Sequence, residues 1–225
     1  MNLFSIITSK KFLIPTLFLF VTIFIYSLWE RIPDIDDAWI GELAYWLAED
    51  GQIRSELMRG ITLQEDKFVV SNKLFVLLGA GFINVFGFSL YTLKSISLVF
   101  LLLFLFLFRQ YTLKWKSLFT KKDFIFALII LFSFPWIFKY SFLYRPELMM
   151  MTIGFSGYIL LEKYIDENSR NLWILLASGL LFGFTIATHL NGVILVGSAG
   201  LLLIWNKKYL SAIWFGLAAI IGFLP

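Results

Sequence analysis

The chain has 225 residues, of which 60% are hydrophobic, 19% aromatic and only 15% charged, and its mean hydropathy is +0.83. A soluble domain cannot hide that much apolar surface, so the composition excludes a water-soluble globular enzyme and points to an integral membrane protein. Cysteine is absent, which excludes disulfides and thiolate metal sites, and the net charge of +4 means little until it is divided between the sides of a membrane.

Apolar runs recur at 12–29, 74–88, 93–108, 124–139, 148–161, 172–188, 190–205 and 209–225. The first follows Lys10 and Lys11 and could be taken for a signal peptide. It is too long for one and lacks a small-residue cleavage site, so it reads as a retained first span. Several later runs are near the lower limit for crossing about 30 Å of hydrocarbon at about 1.5 Å per residue. Backbone in lipid must satisfy its own hydrogen bonds, and these runs do not alternate as barrel strands do, so the expected fold is all-α.

Lysine and arginine set the expected orientation. They cluster at Lys10/Lys11, at Arg109, Lys114, Lys116, Lys121 and Lys122, at Lys163/Arg170 and at Lys207/Lys208. All four clusters share one side only if 74–88 does not cross; otherwise the loop 109–122 would oppose the N-terminal lysines, against the positive-inside tendency. Gly79, Gly81, Asn84 and Gly87 also weaken that run as a lipid-facing span. The expectation is therefore seven crossings, a cytoplasmic N-terminus, and an interfacial or re-entrant helix at 74–88.

Residues 30–92 become a large outer loop holding ten acids: Glu30, Asp34, Asp36, Asp37, Glu42, Glu49, Asp50, Glu56, Glu65 and Asp66. "KYSFLYRPEL" (139–148) and "THLNG" (188–192) are the other outer segments, and the short basic cytoplasmic loops carry no motif. Any chemistry is expected outside.

Three outer groups stand out. Asp34, Asp36 and Asp37 precede "AWIGELAYWLAED", whose Trp39, Leu43 and Trp46/Leu47 predict an amphipathic interfacial helix. One aspartate suffices as a cap, so three acids in four positions call for a cation or a substrate. Lys73, in "VVSNKLF", is either a snorkelling anchor or a cation for phosphate, and Lys94 has the same two readings with a weaker case. Arg145 and Glu147 flank Pro146, which can open the next helix, and Arg145 is either a headgroup anchor or a phosphate ligand. His189 is the single histidine, so a multi-histidine metal site is impossible; it is either structural or a substrate contact. Gly192, Gly197 and Gly200 read as helix-packing positions rather than a nucleotide loop. No Walker loop, dinucleotide fingerprint, zinc-binding helix or serine-nucleophile elbow is present. What remains is an outward acidic site with cationic neighbours, suited to a lipid-borne phosphate and a hydroxyl or amine to be deprotonated.

The order of these features resembles the N-terminal module of the GT-C membrane glycosyltransferases, in the branch of the protein O-mannosyltransferases and lipid A aminoarabinose transferases. That family has a first span and then an outer loop opening with Asp-Glu before an amphipathic helix, as in "DIDDAWIGELAYWLAEDG". Its Lys-Pro-Pro-Leu and Phe-Gly segments are similar to "SNKLFVLLGAGFINVFGFS", which keeps Lys73, Phe86 and Gly87 but neither proline. Its Arg-Pro-Asp motif looks like "YRPE", and its glycine-rich span ending in Thr-Lys/His and Gly is similar to "GLLFGFTIATHLNG". The motifs are short; their order and sidedness carry the resemblance over nearly all of residues 1–225.

The resemblance implies inverting transfer of a sugar from a polyprenyl phosphate on the outer face of a bacterial inner membrane, to a glycan, lipid or protein acceptor of the cell envelope and not to nucleic acid. It implies Asp36 as general base, Asp37 in place of the family's Glu, Glu147 as the second acid, and Lys73 near the donor phosphate. Arg145, His189 and Asn191 complete the expected substrate contacts. Mg2+ or Mn2+ would suit Asp36 and Asp37 if a metal binds. Family members continue for several more spans, so residues 1–225 are expected to be a module incomplete at its C-terminus, lacking the acceptor-recognition part. A transporter or flippase for a lipid-linked or anionic substrate, and a noncatalytic subunit of envelope assembly, are the alternatives. Acids in an outer loop and the lack of a visible repeat count against the transporter.

Overall fold

The computed structural model describes residues 9–60, 70–114, 120–166 and 171–224, apart from the Trp29 side chain. The expectations for Glu65, Asp66, Lys116 and Arg170 lie outside those residues. The described residues form helices and no strand: α1 (Lys10–Glu30), α2 (Ile35–Glu49), α3 (Lys73–Phe86), α4 (Leu90–Lys114), α5 (Lys121–Ser133), α6 (Pro135–Tyr140), α7 (Glu147–Asp166), α8 (Leu172–Thr188), α9 (Gly192–Trp205) and α10 (Tyr209–Phe223). Two of them, α1 over Lys10–Leu28 and α4, are long and apolar enough to cross a membrane by length and composition. The helices α3, α8, α9 and α10 are apolar but shorter.

Local chemistry sets several boundaries. Pro135 lacks an N–H and pushes Phe134 to an extended conformation (φ −78°, ψ 115°), so the expected run 124–139 is two helices rather than one. Gly87 ends α3 at φ +80°, where a side chain would be strained. The inward face of α2 keeps Leu43 and Leu47 of the expected stripe but departs from it elsewhere. Asp37, Gly41, Leu43 and Ala44 turn inward, while Trp39 stays 37% exposed. The small residues allow this: a Cβ on Gly41 would already sit 3.0 Å from Leu93.

Three apolar clusters hold the bundle. Leu43, Ala44, Phe75, Val76, Ile83, Leu93, Ile96, Tyr144 and Met149 join α2, α3 and α4 to the segment before α7. Phe24, Leu101, Phe132 and Leu148 join α1, α4, α5 and α7. Leu161, Tyr164, Leu175, Phe182, Ala199, Leu203 and Phe215 join α7 through α10. Helices α8 and α10 approach backbone to backbone, where a Cβ on Gly183 would overlap the Ala219 carbonyl and one on Gly179 would sit 2.6 Å from the Phe215 carbonyl oxygen. Of the glycines expected to serve packing, Gly192 abuts the Thr185 backbone, but Gly197 and Gly200 face open space.

Polar side chains gather at two separate ends. At one end, the tail of α1, α2, the heads of α3, α4 and α7, and the tail of α8 converge on the site described next. At the other, Tyr111 and Lys114 of α4 bond Glu162 of α7 (2.7 and 3.2 Å), Arg109 lies over Phe124, and Tyr164 bonds Ser211 (2.8 Å).

Candidate functional site

The three aspartates at the head of α2 have three different surroundings. Asp34 is the N-cap, accepting from the Asp36 N–H at 3.5 Å, with the Lys139 ammonium 3.3 Å from its second oxygen. Asp37 completes the capping box by accepting the Asp34 N–H at 2.8 Å. It is also 1% exposed, with Lys94 Nζ at 3.1 Å from Oδ2 and the Tyr144 N–H at 2.6 Å from Oδ1. Asp36 is the one of the three that lines a cleft, where its Oδ2 meets Arg145 Nη1 at 2.7 Å.

Lys94 apart, the distant partners of these aspartates belong to one segment, 139–145. Arg31 donates to the Lys139 carbonyl (3.1 Å) and to Ser141 Oγ (3.2 Å), Asp34 pairs with Lys139, Asp37 holds Tyr144, and Asp36 holds Arg145. "RIPDIDD" and "KYSFLYR" therefore lie side by side although more than a hundred residues separate them in sequence. Helix α4 fastens both. Lys94 and Ser97, three apart on one helical face, reach Asp37 and the carbonyls of Leu143 and Arg145 (3.3 Å to the latter). Tyr144 stacks on Phe75 with centroids 4.4 Å apart and donates to its carbonyl at 3.2 Å. Gly79 makes room, because a Cβ there would overlap the Tyr144 hydroxyl.

Above this buried layer lies a cleft of about 330 Å³, lined by Asp36, Trp39, Ile40, Leu43, Val70, Ser71, Asn72, Arg145, Pro146 and His189. Arg145 also holds Glu147 Oε1 through Nε (3.0 Å) and Nη2 (2.6 Å), and its guanidinium stacks 4.6 Å from the Tyr140 ring centre. Burial works against the Arg145 charge, but the Glu147 and Asp36 carboxylates outweigh it and push the pKa above the ordinary arginine value. Burial likewise opposes ionisation of Asp34, yet Lys139 and the N–H groups of Asp36 and Ile35 hold its carboxyl below the usual range. His189 caps α8, and its Nδ1 accepts the Asn191 N–H at 3.1 Å, so the neutral ring carries its proton on Nε2.

Of the expected site residues, Asp36, Arg145 and His189 meet in the cleft. Asp37 is not at its surface but beneath it, with three protein partners. Glu147 stands behind Arg145 and does not line the cleft, and its Oε2 is buried with no hydrogen-bond donor among the described residues. Lys73 is exposed, one residue beyond the lining Asn72, and Asn191 is exposed and contributes its backbone rather than its side chain. Asp36 and Asp37 do not fit a shared divalent ion, since one turns to Arg145 and the other to Lys94. Among the described residues no group of three or more metal-ligating side chains occurs.

Lys94, for which the sequence allows an anchor or a phosphate ligand, is instead 3% exposed and committed to Asp37. Its signal was the spacing of Lys94 and Ser97 in an otherwise apolar run; nothing in the sequence announced Tyr144 or Asn72. Three other acids of the first loop, Glu42, Asp50 and Glu56, form a local cluster. Glu42 accepts from Ser55 Oγ (2.7 Å), from the Glu56 N–H (2.6 Å) and from the Trp46 indole (3.3 Å). Arg54 bridges Asp50 (2.8 Å) and Glu56 (2.6 Å) over the Trp46 ring.

Searches against protein-family models, curated proteins and solved structures find no match.

Proposed function

We propose that the chain is the N-terminal module of a polytopic GT-C-type glycosyltransferase that takes a sugar from a polyprenyl-phosphate donor at the outer face of a membrane. The observation that carries this reading is the meeting of Asp36, Arg145 and His189, from three separate segments, in one cleft that Trp39 also lines. The membrane arrangement is supported by the segregation of polar ends. Residues expected outside (31–37, 72, 139–147, 189) lie at one end, and residues near the basic clusters (Arg109, Lys114, Lys208) pair at the other. Large apolar side chains exposed on α1, α9 and α10, such as Phe18 at 73% and Trp205 at 86%, need lipid as their solvent. Helix α3 packs on α2 and α4, which supports leaving it out of the spans; the proposed crossings are then α1, α4, α5–α6, α7, α8, α9 and α10.

In this mechanism the acceptor hydroxyl gives its proton to the Asp36 carboxylate as its oxygen attacks the anomeric carbon. The bond from that carbon to the phosphate oxygen breaks on the opposite face, so the configuration inverts and polyprenyl phosphate leaves. Arg145, a permanent cation with a planar donor edge, stabilises charge growing on the phosphate, the term that contributes most in such sites. His189 Nε2–H is a further donor for the phosphate or a sugar hydroxyl. The exposed Lys73, next to the lining Asn72, attracts the anionic headgroup, and Trp39 is the aromatic side chain in the lining available to the sugar. The general base contributes roughly 10²–10⁴-fold.

The test is incubation of membranes containing the protein with radiolabelled polyprenyl-phosphate hexose. Covalent label on an acceptor, lost in Asp36→Asn while membrane insertion persists, is the expected result. Label that crosses the bilayer still attached to its lipid favours the transporter. Neither outcome leaves a noncatalytic envelope-assembly subunit as the reading.

A further inference from the structure

Arg145 is shared unequally. Glu147 holds two of its nitrogens, Nε and Nη2, through one oxygen, and the Tyr140 ring covers its face. That half of the guanidinium is fixed. Among the described residues the third nitrogen, Nη1, is held by Asp36 Oδ2 alone, at the wall of the cleft. Asp36 is also the least constrained of its trio. Asp34 and Asp37 each serve the cap and an ammonium group, whereas the Asp36 side chain has Arg145 as its partner among the described residues. A fixed cation thus presents one free-edged donor to a carboxylate that can rotate away.

We infer that Arg145 Nη1 is an exchangeable anion subsite, occupied in this structure by the Asp36 carboxylate and built to take an oxygen of a phosphate group. A phosphate and a carboxylate offer the same charged acceptor to a guanidinium, so either fits the same edge. Only one can use Nη1 at a time. Entry of the phosphate therefore displaces Asp36 into the cleft. This inference rests on the proposed function in one respect, because it makes the base available only when the donor is bound. An acceptor hydroxyl entering first would find the carboxylate engaged.

The experiment is a titration of the detergent-solubilised chain with geranyl phosphate and, separately, with inorganic phosphate, read by tryptophan fluorescence because Trp39 lines the cleft. Removing the competitor in Asp36→Asn is expected to tighten phosphate binding by about tenfold. Asp36→Ala gives the same gain if its helix cap holds, which keeps the prediction testable should Asn retain part of the contact. Glu147→Gln removes an equal charge from the same arginine, but loosens the fixed half, so it brings no gain. Tightening for geranyl phosphate alone identifies a lipid-borne phosphate; tightening for both identifies the phosphate group itself. Equal gains in Asp36→Asn and Glu147→Gln would reduce the effect to general charge relief and overturn the subsite, as would no gain in either aspartate variant. Sugar transfer by the wild type with no gain in Asp36→Asn sinks the subsite and leaves the proposed function standing. A gain without any transfer does the reverse.

Discussion

The acids at 34–37 and those at 42–56 occupy neighbouring stretches of one loop, yet they find partners in different places. Glu42, Asp50 and Glu56 are satisfied within fifteen residues, by Ser55, Arg54, nearby amides and Trp46. Asp34, Asp36 and Asp37 reach across more than a hundred residues to Lys139, Arg145 and Tyr144, and Asp37 takes Lys94 as well. The first arrangement folds a loop. The second joins α2, α4 and the segment before α7, and leaves one carboxylate facing a cleft. Acid content alone does not distinguish them; the sequence distance to the partner does.

Four measurements probe that distinction, beginning with the largest effect. Asp36→Asn should lower sugar transfer roughly 10²–10⁴-fold, whereas Glu42→Gln should retain most of it; equal losses would erase the difference between the clusters. Lys94→Met strands Asp37 as an unpaired buried charge and should cost about 3–5 kcal/mol in chemical unfolding. Adding Asp37→Asn should return part of that stability, and an innocuous Lys94→Met would mean the buried pair does not hold the site together.

Gly79→Ala drives a methyl into the Tyr144 hydroxyl and toward Ala44, for an expected loss of about 1–3 kcal/mol. Gly81→Ala, facing open space on the same helix, should be neutral or gain up to about 1 kcal/mol. Melting temperatures of the two variants compare them directly. The smallest effect is that of pH on the cap. The Asp34 pKa is depressed in the folded state, so its contribution is present above the ordinary aspartate value and fades as pH falls through the lowered one. Lys139→Met should flatten the acid limb of a stability profile below about pH 4, by less than about 1 kcal/mol because the pair is partly exposed.

Much of the helical content was legible because lipid leaves the backbone no other way to satisfy itself, and apolar runs mark where that applies. Pro135 and Gly87 were equally plain as letters, but the break at Phe134 shows that an apolar run is not a helix boundary. The inward face of α2 was legible only in part, at Leu43 and Leu47, for a related reason. Large residues dominate a hydrophobic pattern, while the close contact uses Gly41 and Ala44, whose smallness matters only once a neighbour is present. The site divided similarly. Asp36, Arg145 and His189 were each visible as unusual charges or rings beside apolar runs, and they meet. Asp37 was indistinguishable from Asp36 in sequence, since adjacent residues on a helix point about 100° apart and only packing decides which faces the core.

The sequence by itself determined that the described chain is helical and rich in surface that water does not solvate well, because apolar composition fixes the second and long apolar runs without alternation fix the first. It also marked the charged residues from which a site could be made. Which aspartate opens to the cleft, which is locked against Lys94, and which arginine edge stays exchangeable were decided by the tertiary structure alone. Those roles depend on desolvation and on partners more than a hundred positions away, and neither exists until the helices pack.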